Sequence, residues 1–288
     1  MCDDEIHQGL VHDPSVSRRT FGLMGVAAAA GAATIARAQD NVVEKDVMVK
    51  TPDGEADSAL FHPAGTGTWP AVLIWPDILG LRPVFRDMGR RLAAQGYVVL
   101  VVNPFYRAKK APIVDGTFNF ANPEDRAKIA PLRATLTPPN IDKDSVAYVA
   151  FLDAQPQTDK AAKVGVQGYC MGGPLSVRTA AAVPDRIGAV ASFHGGGLLT
   201  AEADSPHLLI PTTRAEYLIL VADNDHKREP EVKDKLAEAF KAAGRPAKVE
   251  VYEGADHGWT VKGSQVYNEA AAEKAWAELL ALYKRALS

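Results

Sequence analysis

One short stretch limits what this chain can fold into: Gly168, Tyr169, Cys170, Met171, Gly172 and Gly173. A short apolar run beginning at Val164 leads into it, and residues 174–183 after it read as a helix. Strand, sharp turn and helix with one nucleophile at the bend is a nucleophile elbow, here carrying Cys where Ser is usual. Gly168 and Gly172 flank the thiol where side chains would collide as the strand folds back into the helix. Cys170 is thereby expected in a strained backbone conformation, its sulfur lifted from the sheet edge. The helix N-terminus places partial positive charge near the sulfur and favours thiolate. The plainer reading is a buried structural cysteine, the usual fate of a free thiol; the glycines and the strand–helix context favour the nucleophile.

The remaining chain alternates strand and helix. Residues 46–50 and 58–62 read as an opening hairpin around Thr51, Pro52, Asp53 and Gly54. Residues 71–75 and 97–102 are continuous apolar runs, as in strands covered on both faces. An amphipathic helix over 83–95 lies between them, stopped by Gly96. The pattern loosens over 103–140, a Pro-rich stretch with one short helix expected at 123–129, before a helix at 141–155. Strands are expected at 187–193, 216–221 and 248–252, and helices at 230–243 and 266–286. Such alternation implies a mainly parallel sheet with helices on both faces, and sites in such sheets lie at the carboxyl ends of strands.

The N-terminus reads as an address. Ser17, Arg18, Arg19, Thr20 and Phe21 form a twin-arginine pattern before an Ala- and Gly-rich stretch too short and too weakly apolar to span a membrane stably. Ala36, Arg37 and Ala38 supply a small-x-small cleavage site. The expectation is a signal peptide at 1–38, engagement of the twin-arginine translocation machinery, and a mature protein of 39–288 that is periplasmic or secreted, without a stable membrane anchor. Cys2 would leave with the leader, so Cys170 would be the only thiol of the mature chain, excluding an internal disulfide or a Cys-based metal site. Residues 39–288 fit one large domain. Hydrophobic residues make up 47% of the whole chain, enough for a core, and the net charge of -3 gives no reason to expect nucleic-acid binding.

A cysteine nucleophile needs a base and a group to orient it. His257 lies in a loop just past the last expected strand, and Asp225 just past the one before. Asp223 also lies within reach; Asp225 is preferred because the spacing from the strand through small Ala222 recurs in such folds. The order nucleophile, acid, histidine is that of the α/β-hydrolases. Phe193, His194, Gly195, Gly196 and Gly197 look like an esterase oxyanion loop, but that loop precedes the nucleophile and this one follows it. A tight turn beside the elbow is expected instead.

Gly168 to Gly173, the run from Trp75 through Pro76, Asp77, Ile78 and Leu79 to Gly80, the run from Asn103 to Tyr106, and the run from Tyr252 to Gly258 together resemble the dienelactone hydrolase (carboxymethylenebutenolidase-like) family. The likeness extends from about Asp46 to the C-terminus. It implies an α/β-hydrolase fold and hydrolysis of lactones or activated carboxylic esters. Cys170, Asp225 and His257 would form a catalytic triad working through a thioester, with the backbone N–H groups of Ile78 and Met171 as oxyanion hole. The family has a carboxylate, usually Glu, that pairs with the resting thiol; Asp77 stands there, one methylene shorter. Family members also hold a substrate carboxylate with arginines, one a few residues after the catalytic histidine, where this chain has Thr260, Val261 and Lys262. Arg126 is the candidate for the other, and Tyr106 and Trp259 are further candidates for substrate contact. No metal or organic cofactor is implied, and the chain is expected to be a monomer. The rival readings are a general periplasmic esterase and a non-catalytic binding protein on the same fold.

Overall fold

The structure, a computed structural model, describes Val11–His12 and residues 41–288. The twin-arginine motif and the cleavage site lie outside the described residues. Ten strands are found among the described residues: β1 (Val11–His12), β2 (Val42–Thr51), β3 (Gly54–Pro63), β4 (Ala71–Trp75), β5 (Val98–Val102), β6 (Phe118–Asn119), β7 (Val164–Tyr169), β8 (Ile187–Phe193), β9 (Glu216–Ala222) and β10 (Ala247–Tyr252). Eight of them form one sheet in the order β10-β9-β8-β7-β4-β5-β3-β2, while β1 pairs with β6 separately. The pairs from β10 across to β5 are parallel, and β2 and β3 are added antiparallel. The mainly parallel sheet is therefore as expected, with the opening hairpin as its antiparallel edge.

Seven α-helices accompany them: α1 (Pro83–Ala93), α2 (Pro123–Arg133), α3 (Pro138–Ala154), α4 (Gly172–Ala182), α5 (Asp223–Arg228), α6 (Val232–Ala242) and α7 (Glu269–Ala286). A strand's period of two divides the apolar runs between two cores. Ala71, Leu73 and Trp75 join Val98, Leu100 and Val102 in one, packed with Tyr148 of α3, Leu175 of α4 and Phe240 of α6. Val72, Ile74, Val99 and Val101 join the other, with Phe85 of α1 and Leu279 and Tyr283 of α7. A continuous apolar strand is thus what two-sided burial requires.

Differences from the sequence reading fall where local signals compete with packing. The Pro-rich stretch holds more helix than expected: α2 runs on past Pro131, and α3 begins at Pro138, where proline at the first helical positions lacks only an N–H that the helix could not use. Four short elements were not expected, β1, β6, α5 and a 3-10 turn at Pro206–Thr212; each is too short for its periodicity to be read.

The elbow is anchored to both sides. Trp75 Nε1–H donates to Thr179 Oγ1 (3.0 Å), which is also 2.9 Å from Ser145 Oγ, joining β4, α4 and α3. Tyr283 Oη–H donates to Gln167 Oε1 (3.0 Å) and Gln167 Nε2–H to Tyr169 Oη (2.7 Å), joining α7 to β7. All six groups are buried, so each bond replaces contact with water that burial removed.

Candidate active site

Cys170 sits between β7 and α4 with φ of +52°, in the left-handed region disfavoured for a residue with a Cβ. The glycines permit it. A Cβ on Gly168 would lie 1.9 Å from the carbonyl oxygen of Gly172, and one on Gly172 would lie 2.3 Å from that of Trp75. Both collisions are with backbone, so no rotamer change relieves them. The Cys170 N–H donates to the Phe193 carbonyl (3.0 Å), fixing the bend to the end of β8. Cys170 is buried, and Met171, the other residue of the turn, leads into α4.

The acid and the histidine come from the ends of β9 and β10. His257 Nδ1 lies 2.6 Å from Asp225 Oδ2, and the His257 N–H donates to Asn224 Oδ1 (2.9 Å). Asp223, the alternative acid, binds Lys227 Nζ (2.8 Å) and the Gly254 N–H (3.1 Å) instead. Asp225 is thus the carboxylate that the fold gives to the imidazole. It lies on α5 rather than in an open loop, and the second residue of that helix, Asn224, holds the histidine's backbone. The other oxygen of Asp225 faces Arg228 Nη2 at 3.5 Å. Burial pushes the His257 imidazole down to about 3; the negative charge of Asp77 opposes this and the positive charge of Arg228 reinforces it. A neutral imidazole at ordinary pH can accept a proton.

Asp77 follows β4 as expected, but both of its oxygens are engaged. Arg82 Nη1 and Nη2 approach Oδ1 and Oδ2 at 2.5 and 2.7 Å, and the Leu79 N–H donates to Oδ1 (2.9 Å). The two side chains are 1% and 6% exposed, so this is a buried bidentate pair. Arg82 Nη1–H also donates to the Gly80 carbonyl (3.2 Å), closing the loop that carries Ile78. The sequence reading missed Arg82; its one signal was an arginine five residues beyond a carboxylate that had to be buried.

The three candidates for substrate contact have identifiable partners. Tyr106 Oη–H donates to Asp144 Oδ1 (2.8 Å) and lies 2.7 Å from Thr51 Oγ1. Arg126 Nη1–H donates to the carbonyls of Phe120 (3.0 Å) and Ala121 (3.3 Å). Trp259 is fully buried, stacked on Tyr252 (centroids 5.2 Å apart) and edge-on to His194 (5.0 Å). The turn after β8 stands beside the elbow as expected: a Cβ on Gly173 would come 2.8 Å from Gly195 Cα. His194 within it is buried, with its ring centroid 4.9 Å from that of His257. Among the described residues no group of three or more His, Cys, Asp or Glu side chains could hold a metal ion.

Comparison with known proteins agrees with this geometry. The profile of the dienelactone hydrolase family matches residues 56–287. A Synechocystis protein provisionally named a carboxymethylenebutenolidase is 26% identical over 248 residues, covering 84% of this chain and 98% of its own. An Aquifex pyrophilus protein named usf is 29% identical over 206 residues, covering 70% and 81%. Among solved structures, a Klebsiella pneumoniae protein provisionally described as a dienelactone hydrolase superposes with a TM-score of 0.73 at 21% identity, covering 85% of this chain and 99% of its own. A dienelactone hydrolase-like promiscuous phosphotriesterase from metagenomic libraries superposes at 0.70 and 19%, covering 86% and 100%. The strained cysteine at the strand–helix bend, the Asp-bound histidine three strand ends away and a match over most of the chain agree: this chain belongs to the dienelactone hydrolase family, with its α/β-hydrolase fold.

Proposed function

We propose that the protein hydrolyses lactones or activated carboxylic esters through Cys170, His257 and Asp225. The observations that carry the reading are the 2.6 Å contact between His257 Nδ1 and Asp225 Oδ2 and a cysteine held at φ of +52° at the strand–helix bend. His257 takes the thiol proton as sulfur bonds to the substrate carbonyl carbon. The negative charge that develops on the carbonyl oxygen is held by the N–H groups of Ile78 and Met171. The carbon–oxygen bond to the leaving group then breaks, His257 returns the proton to that oxygen, and a thioester remains. Water adds to the thioester with His257 as base, the carbon–sulfur bond breaks, and the acid leaves with the thiol restored. Asp225 keeps the imidazole in the tautomer that faces sulfur and steadies the imidazolium formed at each step.

Asp77, which the family resemblance implies as the thiol's carboxylate partner, takes a further part. With both oxygens on Arg82, it acts on His257 by charge and holds the loop carrying Ile78 by geometry. A general esterase with no bond to dienelactones is the second reading, favoured by the lack of an arginine at Thr260, Val261 and Lys262. Hydrolysis of a dienelactone beside p-nitrophenyl acetate, in wild type and Cys170→Ala, separates the two. Lactone turnover lost in the variant supports the first, and turnover of the simple ester alone supports the second. Activity unchanged in Cys170→Ala would sink both, and a folded wild type inert to either substrate would favour a binding protein.

The twin-arginine pattern supports export in the folded state, to the periplasm or beyond it, with cleavage after Ala38. Replacing Arg18 and Arg19 by lysine should leave the protein inside the cell in fractionation; continued export would overturn this.

A further inference from the structure

His194 occupies a costly backbone position. Its φ is +42°, and Cys170 is the only other non-glycine at positive φ among the described residues. Such strain persists where surrounding contacts over-determine it. Three glycines follow it directly, so a turn here did not need a bulky residue. What the position delivers is a ring, buried and aimed at the loop that carries His257.

That ring touches three of four consecutive residues in the loop. Its centroid lies 4.9 Å from the His257 ring at 58° and 5.0 Å from Trp259 at 72°, and its Nε2 is 2.8 Å from Thr260 Oγ1. The loop needs such a hold, because Gly258 at φ of +102° separates His257 from Trp259. Asp225 and Asn224 grip His257 from the α5 side, while His194 meets it from β8. The residue before it, Phe193, accepts the Cys170 N–H through its carbonyl, and His194's own N–H donates to the Leu220 carbonyl (2.8 Å). One dipeptide at the end of β8 therefore grips the nucleophile through its backbone and the base through its ring.

We propose that His194 is a positioning residue that sets the His257 imidazole at working distance from the Cys170 thiol. This rests on the Cys170–His257 reading above. The charged groups identified around His257, namely Asp225, Asp77 and Arg228, are not themselves altered by substituting His194, which removes only its own imidazole and that ring's contacts. His194→Asn tolerates the left-handed backbone but removes the ring. His194→Phe keeps a ring and loses the bond to Thr260, and Thr260→Val removes that bond alone.

Two measurements are made on each variant: kcat and KM for p-nitrophenyl acetate, and the pH profile of Cys170 alkylation by iodoacetamide, with the adduct assigned by peptide mass spectrometry. In His194→Asn, kcat is expected to fall about 10- to 100-fold with KM within about twofold, because a displaced base slows the proton transfer and leaves binding alone. Its alkylation profile should shift toward that of His257→Ala. His194→Phe and Thr260→Val should resemble each other and fall between wild type and His194→Asn; they carry the test if His194→Asn does not fold. Folded variants with wild-type kcat and an unchanged alkylation profile would overturn the inference, as would lower stability with that profile unchanged. Alkylation needs no substrate turnover, so an inert wild type would sink the proposed function while the profile still decides the role of His194.

Discussion

At the scale of single residues, the site depends on side chains that are absent as much as on those present. Gly168→Ala would drive a Cβ to 1.9 Å from a carbonyl oxygen of the helix that follows Cys170. Neither partner is a flexible side chain, so we expect a loss of about 4 kcal/mol or more, or no soluble protein, as read by urea unfolding. A normal midpoint would mean that the elbow can open. Here the sequence was fully legible, since a glycine required by backbone contact is written in the chain itself. The choice of Asp225 over Asp223 was less so. Both lie past one strand and both are acidic, and they differ only in which way the first turn of α5 points them. His194 was read as part of a turn, because nothing adjacent to it in the chain reveals the ring of His257 across the space between two strand ends.

At the scale of elements, the loop from β4 to α1 is closed by a pair that pattern reading could not find. The sequence marks Asp77 by its place after an apolar strand, but the burial of Arg82 follows from the packing of this loop under α1 and against Phe85. Arg82→Met would leave the Asp77 carboxylate buried without its cation, at a cost of about 3–5 kcal/mol. Asp77→Asn combined with Arg82→Met should be milder than Arg82→Met alone, and chemical denaturation of the set checks this. An equal loss in the single and double variants would show that the pair does not act as a unit. In the same core as Phe85, Tyr283→Phe removes the donor to Gln167 Oε1 and leaves a buried acceptor unsatisfied. We expect a loss of about 1–3 kcal/mol with little change in kcat, since the bond joins α7 to β7 behind the bend and touches none of the candidate site side chains. A large fall in kcat at unchanged stability would instead tie α7 to the chemistry.

At the scale of the whole molecule, burying His257 couples stability to acid. Its imidazole is pushed down to about 3 in the fold, against about 6.5 when exposed in the unfolded chain. Between those values the unfolded chain binds the proton and the folded one does not. The contribution is therefore fully present above about pH 6.5 and is lost as pH falls toward 3. Urea midpoints from pH 8 to pH 4 should fall for wild type and fall less for His257→Gln; parallel curves would refute the shift.

The linear chain by itself determined the layered α/β architecture, because continuous apolar strands and amphipathic helices have few other ways to leave water. It also determined the bend that carries Cys170, because that strained turn demands its glycines locally. Tertiary structure alone decided which aspartate meets His257, that Arg82 closes on Asp77, and that His194 stands against the His257 ring. Those contacts join residues brought close by strand order and helix orientation, and their distances arise only when the two cores pack against the sheet.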